Sequence, residues 1–346
     1  MRKIFLEEAG SLYQRRALRY LLIFLEPMTA FAIATLINAF ILYLLGYDPL
    51  EVYSVMFLTG YSDIHYLFIK SSPYIATGLA FSTPFLAGIF NIGGEGQLYV
   101  GALTALLASY VSRNFLISIL TGFIAGALLS GLIAFLRVYR NVNEVVTAIM
   151  LNWIMYYITS YIITVYIYDP FAPYQSRPVP REAVINPDLM FIISVFTALI
   201  IYIVLFYTSI GYMMRVVGRS FRSAVYSGIN IKRIMILSMM IGGGSAGLGG
   251  ALIPLGTSPH VLDNTMSALY GVGFMGIGIG LLGRNNPIGI IIASIFISGL
   301  IIGGQNVERI IGAPPEVVDV IIGITIVMLA IPYILRNILA KRGVYI

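Results

Sequence analysis

The sequence predicts an all-α integral membrane protein with about ten transmembrane helices, some broken or re-entrant at glycine-rich elements. Of its 346 residues, 59% are hydrophobic and only 10% are charged, whereas soluble domains have about 45–50% apolar and about 25% charged residues. The apolar residues form long blocks instead of alternating, which disfavours an outer-membrane β-barrel. A water-soluble enzyme is equally disfavoured, and residues 1–346 are interpreted as a single membrane domain.

The predicted spans are apolar runs, since a membrane helix needs about 20 apolar residues. They lie near 24–46, 73–92, 96–112, 115–136, 145–168, 189–212, 234–255, 267–283, 288–304 and 318–336. With both termini in the cytoplasm, 16 of the 21 Lys and Arg residues fall on the cytoplasmic side, as the positive-inside rule favours. The pattern predicts a multi-pass protein of the cell membrane with cytoplasmic N- and C-termini.

Three segments outside the spans have their own predictions. The basic N-terminal segment precedes an apolar run too long for a signal peptide, so it is interpreted as an uncleaved anchor. The external segment 47–72 is expected to contain a short interfacial helix. The external segment 169–188 has five of the 15 prolines and is expected to be an extended loop.

Several kinds of chemistry are excluded or disfavoured by residue content. The chain has no cysteine, so disulfides and thiolate sites are excluded. Its two histidines, His65 and His260, cannot form a metal centre by themselves, and no metal site is expected. The sequence has no P-loop motif, so any ATP must be hydrolysed by another subunit. We expect no cofactor in this chain and no nucleic-acid partner.

Glycine-rich stretches within the spans resemble two catalytic or cofactor motifs but have the wrong context. Residues 242–250 favour close helix packing, because small residues let membrane helices approach. Ser245 lies there in a G-x-S-x-G pattern, yet a nucleophile elbow needs a strand before it and a helix after it. Gly278, Gly280 and Gly283 match a dinucleotide fingerprint, but they end an apolar span and a turn follows. Dinucleotide binding is therefore rejected.

The most distinctive polar element is Asn91–Gln97, between two spans. Three glycines in four positions are expected to break the helix, and non-helical backbone at membrane depth must be buried in protein or line a cavity. Glu95 and Gln97 are expected to hydrogen-bond the freed amides. The element is interpreted as lining or gating a pathway, and the alternative is a short turn with a structural carboxylate.

Further polar residues are weaker pathway candidates. Glu144 opens the fifth span, where a carboxylate also favours the helix N-terminus. Asn152 lies eight residues further along, near the same helical face. Asn38 lies in the first span. Trp153 and most tyrosines are interpreted as anchors at the membrane surface.

The cytoplasmic segment 213–233 contains most of the Lys and Arg residues of the predicted cytoplasmic loops between spans. Ser220–Ile229 is expected to form a short helix with Ser220 as its N-cap. It is interpreted as a docking helix for a cytoplasmic partner, and the alternative is orientation of the chain by positive charge.

Four motifs in order resemble one transporter family. They are NIGGEGQLYVGA (91–102), NEVVTAIMLNWI (143–154), VGRSFRSAVYSGINIKR (217–233) and GFMGIGIGLLGRNNPIGI (273–290). With them the chain resembles a permease subunit of an ABC importer of the branched-chain amino acid/ribose permease superfamily, nucleoside and simple-sugar branch. Ser220-Phe221 stands where the family has Asn-Pro, so a different helix cap is expected. Gly278 and Gly280 replace alanines.

The resemblance implies half of the pore of an ATP-driven importer, with nucleosides as the expected cargo. The implied translocation pathway consists of Asn91, Glu95, Gln97, Glu144, Asn152 and Phe274. The implied ATPase-coupling residues are Gly218, Arg219, Ser220, Arg222, Tyr226 and Gly228. The implied partners are two ATP-binding ATPase subunits, a second identical or different permease subunit, an external substrate-binding protein and the lipid bilayer.

Other functions stay open. Within transport, the cargo is alternatively a simple sugar such as a pentose. A stand-alone ion-coupled secondary transporter would use Glu95 as a proton carrier. An intramembrane enzyme would use Ser245 or Glu95.

Overall fold

The computed structural model describes residues 28–330, which form two compact units. The smaller unit contains residues 28–60 and 300–330, and the larger unit contains Tyr61–Gly299. The basic N-terminal anchor, the start of the first predicted span and the end of the tenth lie outside the described residues. So do the terminal basic residues Arg336, Lys341 and Arg342.

The smaller unit is built from α1 (Met28–Leu44), α2 (Pro49–Gly60), α13 (Pro315–Ala330) and the end of α12 (Pro287–Ile311). Asn38 of α1 is buried, and its amide donates to the Ile321 carbonyl at 3.1 Å and to Thr325 Oγ1 at 3.2 Å. This polar residue therefore joins α1 to α13. Helix α2 confirms a short helix within segment 47–72, and its interfacial position stays a prediction.

The larger unit contains most of the helices. They are α3 (Ile64–Phe85), α4 (Gly94–Ser112), α5 (Phe115–Arg140), α6 (Glu144–Val165), α7 (Pro187–Tyr207), α8 (Ser209–Arg219), α9 (Phe221–Tyr226), α10 (Ile231–Gly256), α11 (Val272–Leu282) and the start of α12. Within the described residues, five helical stretches are long and apolar enough to cross a membrane. They are Phe115–Arg140, Glu144–Val165, Arg181–Tyr207, Ile231–Gly256 and Pro287–Ile311. The predicted helical membrane fold is confirmed at this level.

Asparagine side chains define where four of these helices begin. Each accepts a hydrogen bond from a backbone N–H in the first turn, as expected of an N-cap. They are Asn114 before α5, Asn143 before α6, Asn186 before α7 and Asn230 before α10. These starts agree with the predicted spans to within three residues.

Helix α10 lies at the centre of the larger unit, in contact with α3, α4 and α5. A Cβ atom added at Gly247 would lie 2.2 Å from the Gly122 carbonyl oxygen, and one added at Gly250 would lie 2.0 Å from the Leu98 carbonyl oxygen. Only glycine permits backbones to approach so closely. The helix-packing interpretation of residues 242–250 is confirmed.

Several predicted spans have different bounds in the structure: the sixth ends at Tyr207 instead of 212, and the ninth extends to Ile311 instead of 304. Helix α3 covers Ile64–Phe85 instead of 73–92, because Asp63 caps it and accepts the N–H of Tyr66 at 3.0 Å. The eighth predicted span, 267–283, is only the 11-residue helix α11. At 1.5 Å per residue α11 is about 16 Å long, half of the about 30 Å that a full span requires. Gly271, with a φ of 81°, ends the preceding loop and fixes the start of α11.

The predicted extended loop 169–188 contains a small hairpin, which the sequence did not indicate. Strands β1 (Tyr168–Asp169) and β2 (Ala172–Ser176) pair in antiparallel fashion. The backbone N–H of Ser176 donates to the Leu262 carbonyl at 2.8 Å. The hairpin is thus joined to the loop 257–271, which leads directly to α11.

The loop 257–271 is held in shape by Asp263. Its carboxylate accepts hydrogen bonds from the Thr265 and Ser267 hydroxyls and from the Ser267 N–H. Burial raises the pKa of Asp263, but these hydrogen bonds outweigh it and keep the pKa below its ordinary value. The carboxylate therefore stays charged and organises the turn.

Candidate functional site

The site begins where α3 ends. Pro84 has no N–H, so the carbonyl of Ala80 lacks its usual helical partner. The side chain of Asn91 replaces that partner, with Nδ2 donating to the Ala80 carbonyl at 2.9 Å. Residues 86–93, here named the break segment, are non-helical and end where α4 starts at Gly94.

Asn91 and Gln97 form a reciprocal pair of amides. Asn91 Nδ2 donates to Gln97 Oε1 at 3.1 Å, and Gln97 Nε2 donates to Asn91 Oδ1 at 3.0 Å. Asn91 Oδ1 also accepts the N–H of Gly93 at 3.0 Å. The expected break is real, but it ends at Gly93, and Gly94 and Gly96 belong to the first turn of α4. Gln97 also differs from expectation, because its partner is a side chain and not a freed backbone amide.

Glu95 is only 2% exposed and caps a helix other than its own. Its Oε1 accepts the Gly271 N–H at 2.6 Å and the Tyr99 hydroxyl at 2.7 Å. Its Oε2 accepts the N–H groups of Gly273 at 2.7 Å and of Phe274 at 3.3 Å. The freed amides that this carboxylate satisfies therefore belong to the start of α11 and not to the break segment. The N-terminus of a helix carries partial positive charge, which favours a carboxylate at this place.

Glycines allow α4, α6 and α11 to meet at this point. A Cβ atom added at Gly273 would lie 2.4 Å from the Cα atom of Glu95, and one added at Gly96 would lie 2.9 Å from the Cα atom of Asn152. The Asn152 side chain uses this proximity, since its Oδ1 accepts the Gly96 N–H at 2.8 Å and its Nδ2 donates to the Ile92 carbonyl at 3.1 Å. Asn152 thus ties α6 to both sides of the start of α4.

An open pocket lies beside this junction, with about 310 Å³ of space when the adjoining solvent is included. It is lined by Glu95, Tyr99, Ile149, Asn152, Trp153, Tyr156, Tyr270 and Phe274. The structure therefore brings together three of the predicted pathway residues, Glu95, Asn152 and Phe274. Asn91 and Gln97 are buried and support the junction without lining the pocket.

Sequence reasoning missed the aromatic walls of this pocket. Trp153 was interpreted as a membrane anchor, but it lines the pocket and is 49% exposed. Tyr99 follows Glu95 by four residues and Tyr156 follows Asn152 by four. Residues at that spacing are neighbours on a helix, so the signal for both tyrosines was present in the sequence.

Glu144 lies apart from the pocket residues. Its carboxylate pairs with Arg137 Nε at 3.0 Å, across the turn between α5 and α6. The N-cap of α6 is Asn143. These contacts favour the structural alternative for Glu144 that the sequence left open.

The segment after α7 contains two short helices, α8 and α9. Ser220 caps α9 by accepting the Ser223 N–H at 3.2 Å, so the expected short helix and its N-cap are confirmed. The helix ends at Tyr226, before the expected Ile229. Ala224 is buried, whereas Arg222 and Tyr226 are exposed, Tyr226 to 91%. Arg219 is also exposed, and Gly228 follows α9 with a φ of 72°. The helix therefore has one buried side and one free side.

Ser245 has the surroundings of a packing residue. Its hydroxyl is buried in α10 and donates to the Ile241 carbonyl at 3.0 Å, a common bond for serine within a helix. His65 pairs with Asp188 at 2.8 Å, and His260 lies in the loop 257–271. Among the residues that the structure describes, no cluster of three or more His, Asp or Glu side chains could hold a metal ion.

Comparison with known proteins finds similarity along most of the chain. Residues 64–330 match the family described as branched-chain amino acid transport system / permease component. The chain is 30% identical over 341 residues to the guanosine ABC transporter permease protein NupP of Bacillus subtilis, covering 92% of this chain and 96% of that protein. It is 29% identical to the nucleoside ABC transporter permease protein NupB of Lactococcus lactis, covering 92% and 93%. It is 28% identical to the glucose ABC transporter permease protein TsgB13 of Haloferax volcanii, covering 91% and 89%.

Proposed function

The chain belongs to the permease-component family of branched-chain amino acid transport systems, and on this premise we propose that it forms half of the pore of an ATP-driven nucleoside importer. It is a multi-pass protein of the cell membrane. The observation that carries the proposal is similarity over nearly its whole length to two permeases named for guanosine and nucleosides.

The pocket beside Glu95 supports a nucleoside as cargo. Its walls are mostly aromatic, and Trp153, Tyr156 and Phe274 are among the residues that line it. A flat base can stack on such rings at a favourable free energy. The polar atoms of Glu95 and Asn152 already have protein partners, so the cargo would be held weakly. Weak binding suits a pore, because the cargo must leave as readily as it enters.

The proposed topology has about ten spans with both termini in the cytoplasm. In this topology segment 213–233, which contains α9 and most of α8, would lie on the cytoplasmic side. Conformational changes of the ATPase subunits would be transmitted to it there. The hairpin and the loop 257–271 would face outward. The break segment and the start of the short helix α11, which are connected through the first turn of α4, would both lie within the membrane. Broken helices of transporters are tolerated there because protein buries them or they line a cavity.

The proposed assembly needs further subunits. This chain would pair with a second permease subunit, bind two ATPase subunits on the inside and receive its cargo from an external substrate-binding protein. ATP would be bound by the ATPase subunits, and this chain would have a purely non-catalytic role.

A simple sugar is the second candidate cargo. The supporting observation is the similarity to a permease named for glucose, over 91% of this chain. Aromatic rings also stack on the apolar faces of sugars, so the lining of the pocket does not distinguish the two classes of cargo. The decisive comparison is uptake of labelled guanosine, adenosine, glucose and ribose by membrane vesicles that contain the complete transporter.

Purification from the native membrane in mild detergent tests the assembly. The expected result is co-purification of ATPase subunits and ATP-dependent uptake of nucleosides after reconstitution. Replacing Trp153 by Ala should raise the nucleoside concentration needed for half-maximal uptake, since one stacking surface is lost. Sugar uptake without nucleoside uptake would replace the first candidate by the second.

The purified protein also allows the ABC importer to be distinguished from a secondary transporter and from an intramembrane enzyme. Solute accumulation by the chain alone in liposomes, driven by a proton gradient, would contradict the ABC importer and favour a secondary transporter. Labelling of Ser245 by a serine-reactive probe would favour an intramembrane enzyme. We expect neither result, because the Ser245 hydroxyl is buried and bonded within α10.

A further inference from the structure

The short helices α8 and α9 touch the break segment directly. A Cβ atom added at Gly218, near the end of α8, would lie 2.2 Å from the Leu86 carbonyl oxygen. A Cβ atom added at Gly88 would lie 3.2 Å from Cζ of Phe221, the first residue of α9. Gly88 has a φ of 77°, so the break segment turns sharply at this contact. Helix α8 is therefore in backbone-level contact with the break segment at Gly218, and α9 contacts the same segment through the ring of Phe221.

The break segment is in turn connected to the pocket by rigid contacts. Ile89 is buried, and two residues later Asn91 is fixed by its bonds to Ala80 and Gln97. Gln97 and Glu95 share the first turn of α4, and the Glu95 carboxylate binds the start of α11 through two N–H groups at 2.6 and 2.7 Å. Gly88 itself is exposed, but Ile89, Asn91, Glu95 and Gln97 are buried and their hydrogen bonds are short. A displacement passed on from Gly88 to these residues therefore has few places to relax before it reaches α11.

We infer that Phe221 is a positioning residue which, with Gly218, transmits movement of α9 through the break segment to the contact between Glu95 and α11. The inference rests on the proposed function, because the movement comes from the ATPase subunits. The free side of α9, with Arg222 and Tyr226, binds the ATPase. Its opposite side presses Phe221 onto Gly88. Opening of the pocket therefore depends on the position of α9 relative to the break segment.

The arrangement of residues alone does not establish coupling between two sites. The experiment therefore measures coupling directly, as nucleoside uptake per ATP hydrolysed. The complete transporter is reconstituted in liposomes with Phe221→Ala in this chain. The ATPase subunits should still bind and hydrolyse ATP at the wild-type basal rate. Nucleoside uptake per ATP hydrolysed should fall about tenfold, within the range typical of coupling between sites. Phe221→Leu, which keeps an apolar contact to Gly88, should restore part of it.

Two matched variants separate coupling from other effects. Tyr226→Ala, on the free side of α9, should weaken ATPase binding but leave uptake per ATP unchanged. Phe196→Ala removes a ring that is 62% exposed on α7 and should change neither quantity. Phe221 is itself 48% exposed, so its truncation is compatible with folding, and elution as a single species in detergent verifies this.

The chain has no cysteine, which allows movement at the pocket to be followed directly. Tyr270→Cys places one thiol beside Gly271, whose N–H binds Glu95. Addition of ATP should change the rate of its labelling by a maleimide severalfold. In the Phe221→Ala background this nucleotide dependence should disappear, which a merely structural role of Phe221 does not predict.

Three results would overturn the inference. The first is wild-type uptake per ATP with Phe221→Ala, together with unchanged nucleotide-dependent labelling. The second is loss of ATPase binding with Phe221→Ala, which would place this ring in the docking surface. The third is a wild-type complex that neither binds an ATPase nor imports nucleosides, and this result alone overturns the proposed function as well.

Discussion

The carboxylate of Glu95, on α4, accepts the backbone N–H of Gly273, on α11, at 2.7 Å. The two residues are separated by 178 positions in the sequence. A helix that starts inside the protein needs partners for its first N–H groups, and here they come from a buried acid on another helix. This contact explains the burial of Glu95 and stabilises the start of α11 within the protein.

Replacing Glu95 by Gln tests the importance of the charge. One carboxylate oxygen becomes an NH₂ group, which faces backbone N–H donors and repels them. We expect a folded protein with uptake lowered about tenfold or more, since hydrogen bonds to a charged group contribute about 1.5–3 kcal/mol each. The measurement is initial uptake at matched expression. Glu51→Gln, at an exposed position of α2, is the control, and wild-type uptake by the Glu95 variant would exclude a role for the charge.

Asn91 and Pro84 should be energetically coupled through the Ala80 carbonyl. Asn91→Ala leaves this carbonyl unpaired, and an unsatisfied buried group costs about 1–3 kcal/mol. In a Pro84→Ala background, residue 84 regains an N–H that can bond the same carbonyl. The melting temperature in detergent should therefore fall less for Asn91→Ala in that background. Strictly additive shifts would show that the two residues do not share this carbonyl.

Gly126 should tolerate no side chain. A Cβ atom there would lie 2.3 Å from the Gly243 carbonyl oxygen and 2.8 Å from the Cα atom of Gly247. Gly126→Ala must push α5 away from α10, and overpacking of this kind costs about 1–3 kcal/mol. We expect a lower melting temperature and a smaller monodisperse fraction. Gly323→Ala in α13 has free space around the new methyl group and should be neutral or stabilising, since alanine favours helix more than glycine.

Arg222 and Tyr226 should contribute to ATPase binding because both side chains are free on the exposed side of α9. Replacing both by Ala should lower the amount of ATPase that co-purifies and lower uptake in proportion. Neither residue is buried in this chain, so the melting temperature of the permease should hardly change. Normal co-purification and uptake would assign the docking surface elsewhere.

Much of the site was visible in the sequence as residue types, but their partners were not. Asn91, Glu95 and Gln97 were singled out because polar residues are costly within a membrane. Their spacing did not show that Asn91 bonds Gln97 or that Glu95 binds α11, since these partners depend on how the helices pack. Glu144 shows the opposite case, because its pair with Arg137 forms across a local turn and does not involve the pocket.

Some helix ends were also predictable from the local sequence, whereas others depend on tertiary contacts. Asn114, Asn143 and Asn230 cap their own helices, and these starts followed from the local sequence. The short length of α11 did not follow, because residues 267–271 are apolar enough to continue a span. The chain turns there because the loop 257–271 is held by the hairpin and by Asp263.

The sequence by itself determined a helical membrane chain, since 10% charged residues cannot form a soluble surface. It also determined where polar groups must be buried and that residues 242–250 pack closely against other helices, whereas the central position of α10 came from the structure. Only the tertiary structure decided that Glu95, Asn152 and Phe274 share one pocket and that Phe221 presses on Gly88. The physical reason is range: hydropathy, capping and glycine content act within a few residues, whereas these contacts join segments that meet only after the helices have packed.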